Sequence, residues 1–180
     1  RWFTPTMEVK LCGHATLSAA HILFQEKRVP SKEITFTSLS GPLSVIKEEE
    51  ALILNFPLQK TGPDLPVETL IEQLNIDESV VAAVQAYDDI ILELENPEAL
   101  RQLVLDSKNV LKIDCRGLIV TAKGKDPYDF VSRFFAPRVG VDEDPVTGSA
   151  HCKLAHYWQQ KLNKNSFVAY QASKRGGEIH

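Results

Sequence analysis

Residues 13–21 read GHATLSAAH and residues 148–156 read GSAHCKLAH. Aligned on their leading glycines, they agree at Gly13/Gly148, Ala15/Ala150, Ala20/Ala155 and His21/His156, four of nine positions. In the first stretch Leu17, Ala20, Leu23 and Phe24 share a face at helical spacing. Small residues recur along both, as a helix needs when strands crowd it. A repeated supersecondary unit constrains the fold more than any other feature here. It predicts two related halves, each wrapping strands round a central helix, at about 14–27 and about 148–162.

The segments between fit that plan. Arg1 to Thr4 reads as a strand ended by Pro5, and EITFTSL, PLSVIKE and ALILNF read as three successive antiparallel strands. Pro57, Gly62, Pro63 and Pro66 place a break between 57 and 66. The expected units are therefore 1–60 and 61–180. The second unit holds a short helix (VETLIEQL), strands near VVAAVQAY and DIILELE, and a helix opened by Asn96-Pro97. Strands GLIVTAK and YDFVSRFFA, the long helix, and a final strand FVAYQA follow. No βαβ rhythm is evident, so the expected class is α+β with largely antiparallel, curled sheets. The chain opens inside a strand and stops on Arg175-Gly176-Gly177-Glu178 as if another were beginning, and both ends read as cut from something longer.

Composition excludes several functions. Of the 180 residues 43% are hydrophobic and 24% charged, with a formal net charge of -4, an ordinary globular balance. Phosphate binding needs clustered Lys and Arg, and no basic patch is present, so no nucleic-acid partner is expected. No apolar run approaches the ~20 residues of a membrane-crossing helix. Cys12, Cys115 and Cys152 are too scattered for a disulfide framework, and a reducing cytoplasm is the default reading. Glu48-Glu49-Glu50 reads as a solvated turn.

A helix start carries unpaired N–H groups and about half a positive charge. Gly13 and Gly148 allow close backbone approach at both starts, so each is a candidate anion cradle. If the two starts face each other, the cleft suits a small carboxylate. His14 lies at one start, where the dipole favours a neutral ring able to pass a proton. Asp144 lies just ahead of the other, and Thr147 or Ser149 could cap it. A neutral His facing a carboxylate across an anion site is suited to moving a proton on carbon.

Each signal alone has a plainer meaning. An Asp ahead of a helix is most often a cap, and a lone His at a helix start is most often structural. Asp142 and Glu143 read as solvated. His21 and His156 read as core or inter-helix residues. Cys152 and His156, at i and i+4, could both touch a metal, but two ligands make no site. Cys12 could serve as a base only if its thiol were lowered at the helix start. The doubling carries the argument.

Arg1-Trp2-Phe3-Thr4-Pro5, Cys12-Gly13-His14-Ala15-Thr16, Phe135-Ala136-Pro137, Glu143 through Ala150 (EDPVTGSA) and Arg175-Gly176-Gly177-Glu178 resemble the phenazine-biosynthesis-like (PhzF-like) family. Within it they resemble the branch that includes the eukaryotic MAWD-binding protein. The resemblance implies the diaminopimelate epimerase-like fold, with two pseudosymmetric halves and a site between them. It implies a cofactor-independent isomerase like the member that shifts a proton on trans-2,3-dihydro-3-hydroxyanthranilate. His14 and Asp144 would be catalytic, and Gly13, Gly148 and Ser149 substrate-binding, with no cofactor and no metal. The family's principal acid/base is a glutamate upstream of the RWFTP-like strand, which this chain does not contain. Glu8 does not match it by motif. The expected partner is a small carboxylate, with a homodimer or a protein partner as further expectations. The rival reading is a noncatalytic binding protein that keeps the fold.

Overall fold

The computed structural model describes residues 1–4, 6–26, 29–49 and 51–180. Pro5, Lys27 and Glu50, on which the expected first strand end, first helix end and acidic turn fall, lie outside the described residues. Strand β1 (Trp2–Phe3) pairs antiparallel with β2 (Glu8–Val9), and helix α1 (Gly13–Gln25) follows. Strands β3 (Glu33–Ser38), β4 (Gly41–Glu48) and β5 (Ala51–Asn55) form the expected antiparallel meander. Their alternation decides which face is buried: Ile34 opposes Val45 and Phe36 opposes Leu43. Against this face α1 packs Leu17, Ala20 and Phe24. Its opposite side is open, and His21 is exposed rather than held in a core. Three strands cover only one side of a helix.

The largest of the three sheets among the described residues has seven strands. After helix α2 (Val67–Leu74) come β6 (Val80–Ala86) and β7 (Asp89–Leu94), an antiparallel hairpin whose turn residue Tyr87 has φ +58°. Helices α3 (Pro97–Gln102) and α4 (Ser107–Val110) then cross over to β8 (Gly117–Lys123), which pairs with β7 in parallel. This βαβ crossover departs from the sequence expectation. The reason is visible in β7, buried at every position: parallel neighbours are covered on both faces and need near-continuous apolar runs. Strand β9 (Phe130–Ala136) is antiparallel to β8, and β10 (Val141–Asp144) to β9. Beyond helix α5 (Gly148–Leu162), β11 (Ala169–Gln171) pairs parallel with β9, and β12 (Gly177–Ile179) closes on β11.

The two faces of this sheet separate by the strand period of two. Ile90, Leu92, Leu94, Leu118 and Val120 face α2, α3 and α4, with Leu70, Leu74, Leu100 and Val110 packed on them. Ile91, Ile119 and Phe134 face α5, whose Leu154, Tyr157 and Trp158 fill the space. Each fully buried side chain of this size contributes roughly 1.5–3 kcal/mol. The α5 face also carries polar residues, and α5 answers each of them. The Trp158 indole donates to Thr121 at 3.0 Å, and the Tyr157 hydroxyl to Glu93 at 2.5 Å. Lys161 pairs with Glu93, and Lys153 with Asp88 and Asp89. The stripe Ser149, Lys153, Tyr157, Lys161 repeats every four residues, one side of a helix turned toward β7.

Candidate active site

The starts of α1 and α5 meet. A Cβ added to Gly13 would stand 3.6 Å from the Gly148 Cα, and one added to Gly148 3.6 Å from the Gly13 Cα. The Phe56 ring fills the remaining gap, with Cε2 at 3.1 and 2.9 Å from those two hypothetical atoms. A methyl group at either position would press on the edge of that ring. The N-cap positions, Cys12 and Thr147, have extended backbones, and neither side chain caps its helix. Both helix starts therefore keep N–H groups without a side-chain partner.

Beside this contact lies a cavity of about 590 Å³, lined by Gly13, His14, Asp144, Gly148 and Ser149. All five residues singled out in the sequence share it. Cys12, Thr147, Arg116 and the apolar Phe3, Phe134 and Val139 also line it. The exposed His14 ring lies with Nε2 3.5 Å from the Cys12 sulfur. Burial pushes the Cys12 thiol up, an N–H of Ala15 offsets part of this, and the charge of Asp144 adds to it. Cys12 is therefore no lowered thiolate, and the helix start does not make it a base.

Asp144 is not a cap. The Thr147 hydroxyl donates to its Oδ2 at 2.5 Å, so the expected capping hydroxyl is spent on the carboxylate. Behind Thr147 stands the buried Gln171, whose amide touches Thr147 and Asp144 together. Glu143, expected to be solvated, is half-buried and forms a two-point pair with Arg133 at 2.7 and 3.0 Å. Asp142 is exposed as expected and accepts from Ser107 at 2.6 Å. The remaining cysteine–histidine pair is occupied otherwise. Cys152 donates to the Gly148 carbonyl, and the half-buried His156 accepts from the Thr61 N–H at 3.1 Å.

A cluster of four charges borders the cavity, and sequence reasoning did not find it. Arg116 and Lys153 both bond the same oxygen of Asp89. Lys153 also donates to Asp88 at 2.7 Å, and Arg116 Nη2 lies 3.4 Å from the Ser149 hydroxyl. Arg116 Nε sits 3.2 Å from Asp88 but is not aligned for a hydrogen bond, and Asp89 Oδ1 also lacks a partner. Burial raises the Asp89 carboxyl, and the two cations only partly offset it. In Asp88 burial acts the same way, but the Lys153 hydrogen bond and the charge of Arg116 outweigh it and leave the group lowered. Arg116 and Ser149 also line a second cavity of about 960 Å³ next to the first. A faint sequence signal existed: Lys153 follows Ser149 by one helical turn.

The sequence pattern of the phenazine biosynthesis-like protein family (PhzC-PhzF) matches residues 1–180. The chain belongs to the PhzF-like family. It is 48% identical over 182 residues to an uncharacterized isomerase of Pseudomonas aeruginosa, covering 99% of this chain and 67% of that protein. It is 40% identical over 196 residues to the human phenazine biosynthesis-like domain-containing protein, covering 99% of this chain and 68% of the other. The crystal structure of a PhzF-family phenazine biosynthesis protein from Enterococcus faecalis superposes with a TM-score of 0.84 at 42% identity, covering 99% and 67%. The α+β PhzF-like fold follows, and the chain spans about two thirds of each relative. Two of the blocks that carried the resemblance, CGHAT and EDPVTGSA, meet at the cavity. Among the described residues, no helix is long and apolar enough to cross a membrane.

Proposed function

We propose that this PhzF-like chain carries most of the site of a cofactor-independent isomerase acting on a small carboxylate. The reading treats 1–60 and 61–180 as two units that each supply one helix start. The observation that carries it is the contact of those starts through Gly13 and Gly148, with His14 and Asp144 on one cavity. An anion held there gains about 0.3–1 kcal/mol from each dipole when exposed, and up to ~2 when partly buried. Desolvating a carboxylate demands several donors at once, so two converging starts succeed where one would hold it weakly.

In the proposed reaction a base removes a proton from one carbon of the bound acid, the electron pair shifts along the conjugated frame, and an acid returns a proton to another carbon. No net oxidation occurs. His14 and Asp144 are assigned to hold and return protons, Ser149 to hydrogen-bond the substrate, and the two glycines to bring backbone N–H groups to its carboxylate. The family resemblance assigns the first abstraction to a glutamate outside this chain. The P. aeruginosa relative's description as an isomerase supports the reaction class.

The test is deuterium incorporation at carbon when the full-length protein meets a panel of small unsaturated carboxylates in heavy water. Incorporation that falls about 10²–10⁴-fold in His14→Ala and Asp144→Asn is expected. No incorporation across the panel refutes the proposal.

A further inference from the structure

We infer that Gln171 is a positioning residue that decides which oxygen of the Asp144 carboxylate can carry a proton. The argument follows from donor and acceptor character alone. Gln171 is fully buried in β11. The Thr147 backbone N–H, which can only donate, meets Gln171 Oε1 at 2.7 Å. The Asp144 carbonyl, which can only accept, receives Gln171 Nε2 at 2.7 Å. Two backbone groups of opposite character thus fix the amide in one orientation. A flipped amide would set donor against donor and acceptor against acceptor in a site without room for relief.

The fixed amide then dictates the next bond. Gln171 Nε2 also donates to Thr147 Oγ1 at 3.1 Å, so that oxygen already accepts and must send its own proton elsewhere. Asp144 Oδ2 lies 2.5 Å away and takes it. Rotation of Thr147 gives no escape, because its carbonyl accepts from the His151 ring at 2.8 Å and from the His151 backbone at 3.3 Å. Oδ2 is thereby committed as an acceptor. Oδ1, which makes no hydrogen bond among the described residues, is the one oxygen with both lone pairs open to an incoming proton, and Asp144 lines the cavity. A carboxylate presenting a single fully open oxygen delivers protons along one line, as a stereospecific shift on carbon requires.

The inference rests on reading Asp144 as a proton carrier, whereas the hydrogen-bond relay can be observed without any activity. In isotope-labelled wild-type protein, NMR is expected to show a slowly exchanging Thr147 hydroxyl proton correlated with the Asp144 carboxyl carbon. Gln171→Leu frees the hydroxyl to rotate and weakens that correlation. Gln171→Glu keeps the shape but reverses the amide nitrogen to an acceptor, and moves the correlation to the carboxyl carbon of the new side chain. In the full-length protein, Gln171→Glu lowers kcat for carbon exchange about tenfold to a hundredfold with KM nearly unchanged. Thr147→Ser recovers most of the loss seen in Thr147→Val. Persistence of the Asp144 correlation at full strength in both Gln171 variants overturns the inference, as does a loss expressed in KM alone. A wild-type protein that shows the relay but no exchange on any substrate supports the relay and counts against the isomerase reading.

Discussion

His151 lies one helical turn into α5, and its response to pH can be worked out from its surroundings. The Thr147 carbonyl can only accept, so Nδ1 carries the ring proton, and Nε2 is left to accept from the buried Ser132 hydroxyl at 3.3 Å. Phe130 stacks on the ring at 6.0 Å. Burial pushes the imidazole from 6.5 down to about 4, with the bond to Thr147 offsetting part of the effect. Between these values the unfolded chain holds a proton that the folded chain refuses. The contribution is therefore complete above pH 6.5 and is lost as pH falls toward 4. At 1.36 kcal/mol per unit, the loss reaches about 2–3 kcal/mol by pH 4.5. Against a total stability of roughly 5–15 kcal/mol this is a large fraction. Urea unfolding of wild type and His151→Gln at pH 7 and pH 4.5 measures it. Glutamine costs stability at both values but does not titrate, and carboxylates elsewhere contribute to both proteins alike. The wild type should lose about 2 kcal/mol more than the variant over the interval. Equal losses, or an NMR titration of the His151 ring centred near 6.5, would show that the ring is not held neutral by burial.

Gly148→Ala should destabilise the protein by about 1–2 kcal/mol, since overpacking costs about 1–3 and helix propensity returns under 1 at a first-turn position. Combining it with Phe56→Leu should recover part of that loss in thermal melts, and an additive double variant would contradict the contact. Asp89→Asn should cost about 3–5 kcal/mol in denaturant titrations, because the buried Lys153 and half-buried Arg116 lose their shared counter-charge and keep only the part-exposed Asp88. Asp88→Asn, whose carboxylate is 39% exposed, should cost clearly less; the reverse order would refute the assignment of Asp89 as the central counter-charge.

Much of the architecture was legible because local rules and tertiary demands agree there. The alternation of Ile34, Phe36, Leu43 and Val45 and the turn at Ser40-Gly41 define a meander whatever surrounds it. Helix α5 starts at Gly148 and stops at Asn163, which takes the left-handed conformation that ends helices. Strand direction was not legible. Runs such as DIILEL and GLIVTAK state burial on both faces but carry no sign of whether the neighbour runs parallel. The site shows the same division. Gly13, His14, Asp144, Gly148 and Ser149 stood out through doubled helix starts and two motif blocks. Asp88 and Asp89 carried no signal of their own, because their partners Arg116 and Lys153 arrive only through the β7–β8 register and the seating of α5. Gln171 in a short strand gives no hint of the two groups it holds. His21 and His156 share a letter in the repeat but not an environment, since the sheets beside the two helices differ in size.

Phe56 sits at the point where Gly13 and Gly148 approach, and the three positions share one volume. Their histories are therefore tied to one another. A methyl group at either glycine presses on the ring edge and costs stability, so a smaller residue at 56 eases that change. A smaller residue at 56 opens a gap between the helix starts before any compensating change exists, and a lineage taking that step passes through a less stable intermediate. Reversal carries the same cost, because an alanine at either glycine position meets the returning ring. A junction of this kind drifts as a unit or not at all, and substitutions at positions 13, 56 and 148 should be found together rather than singly.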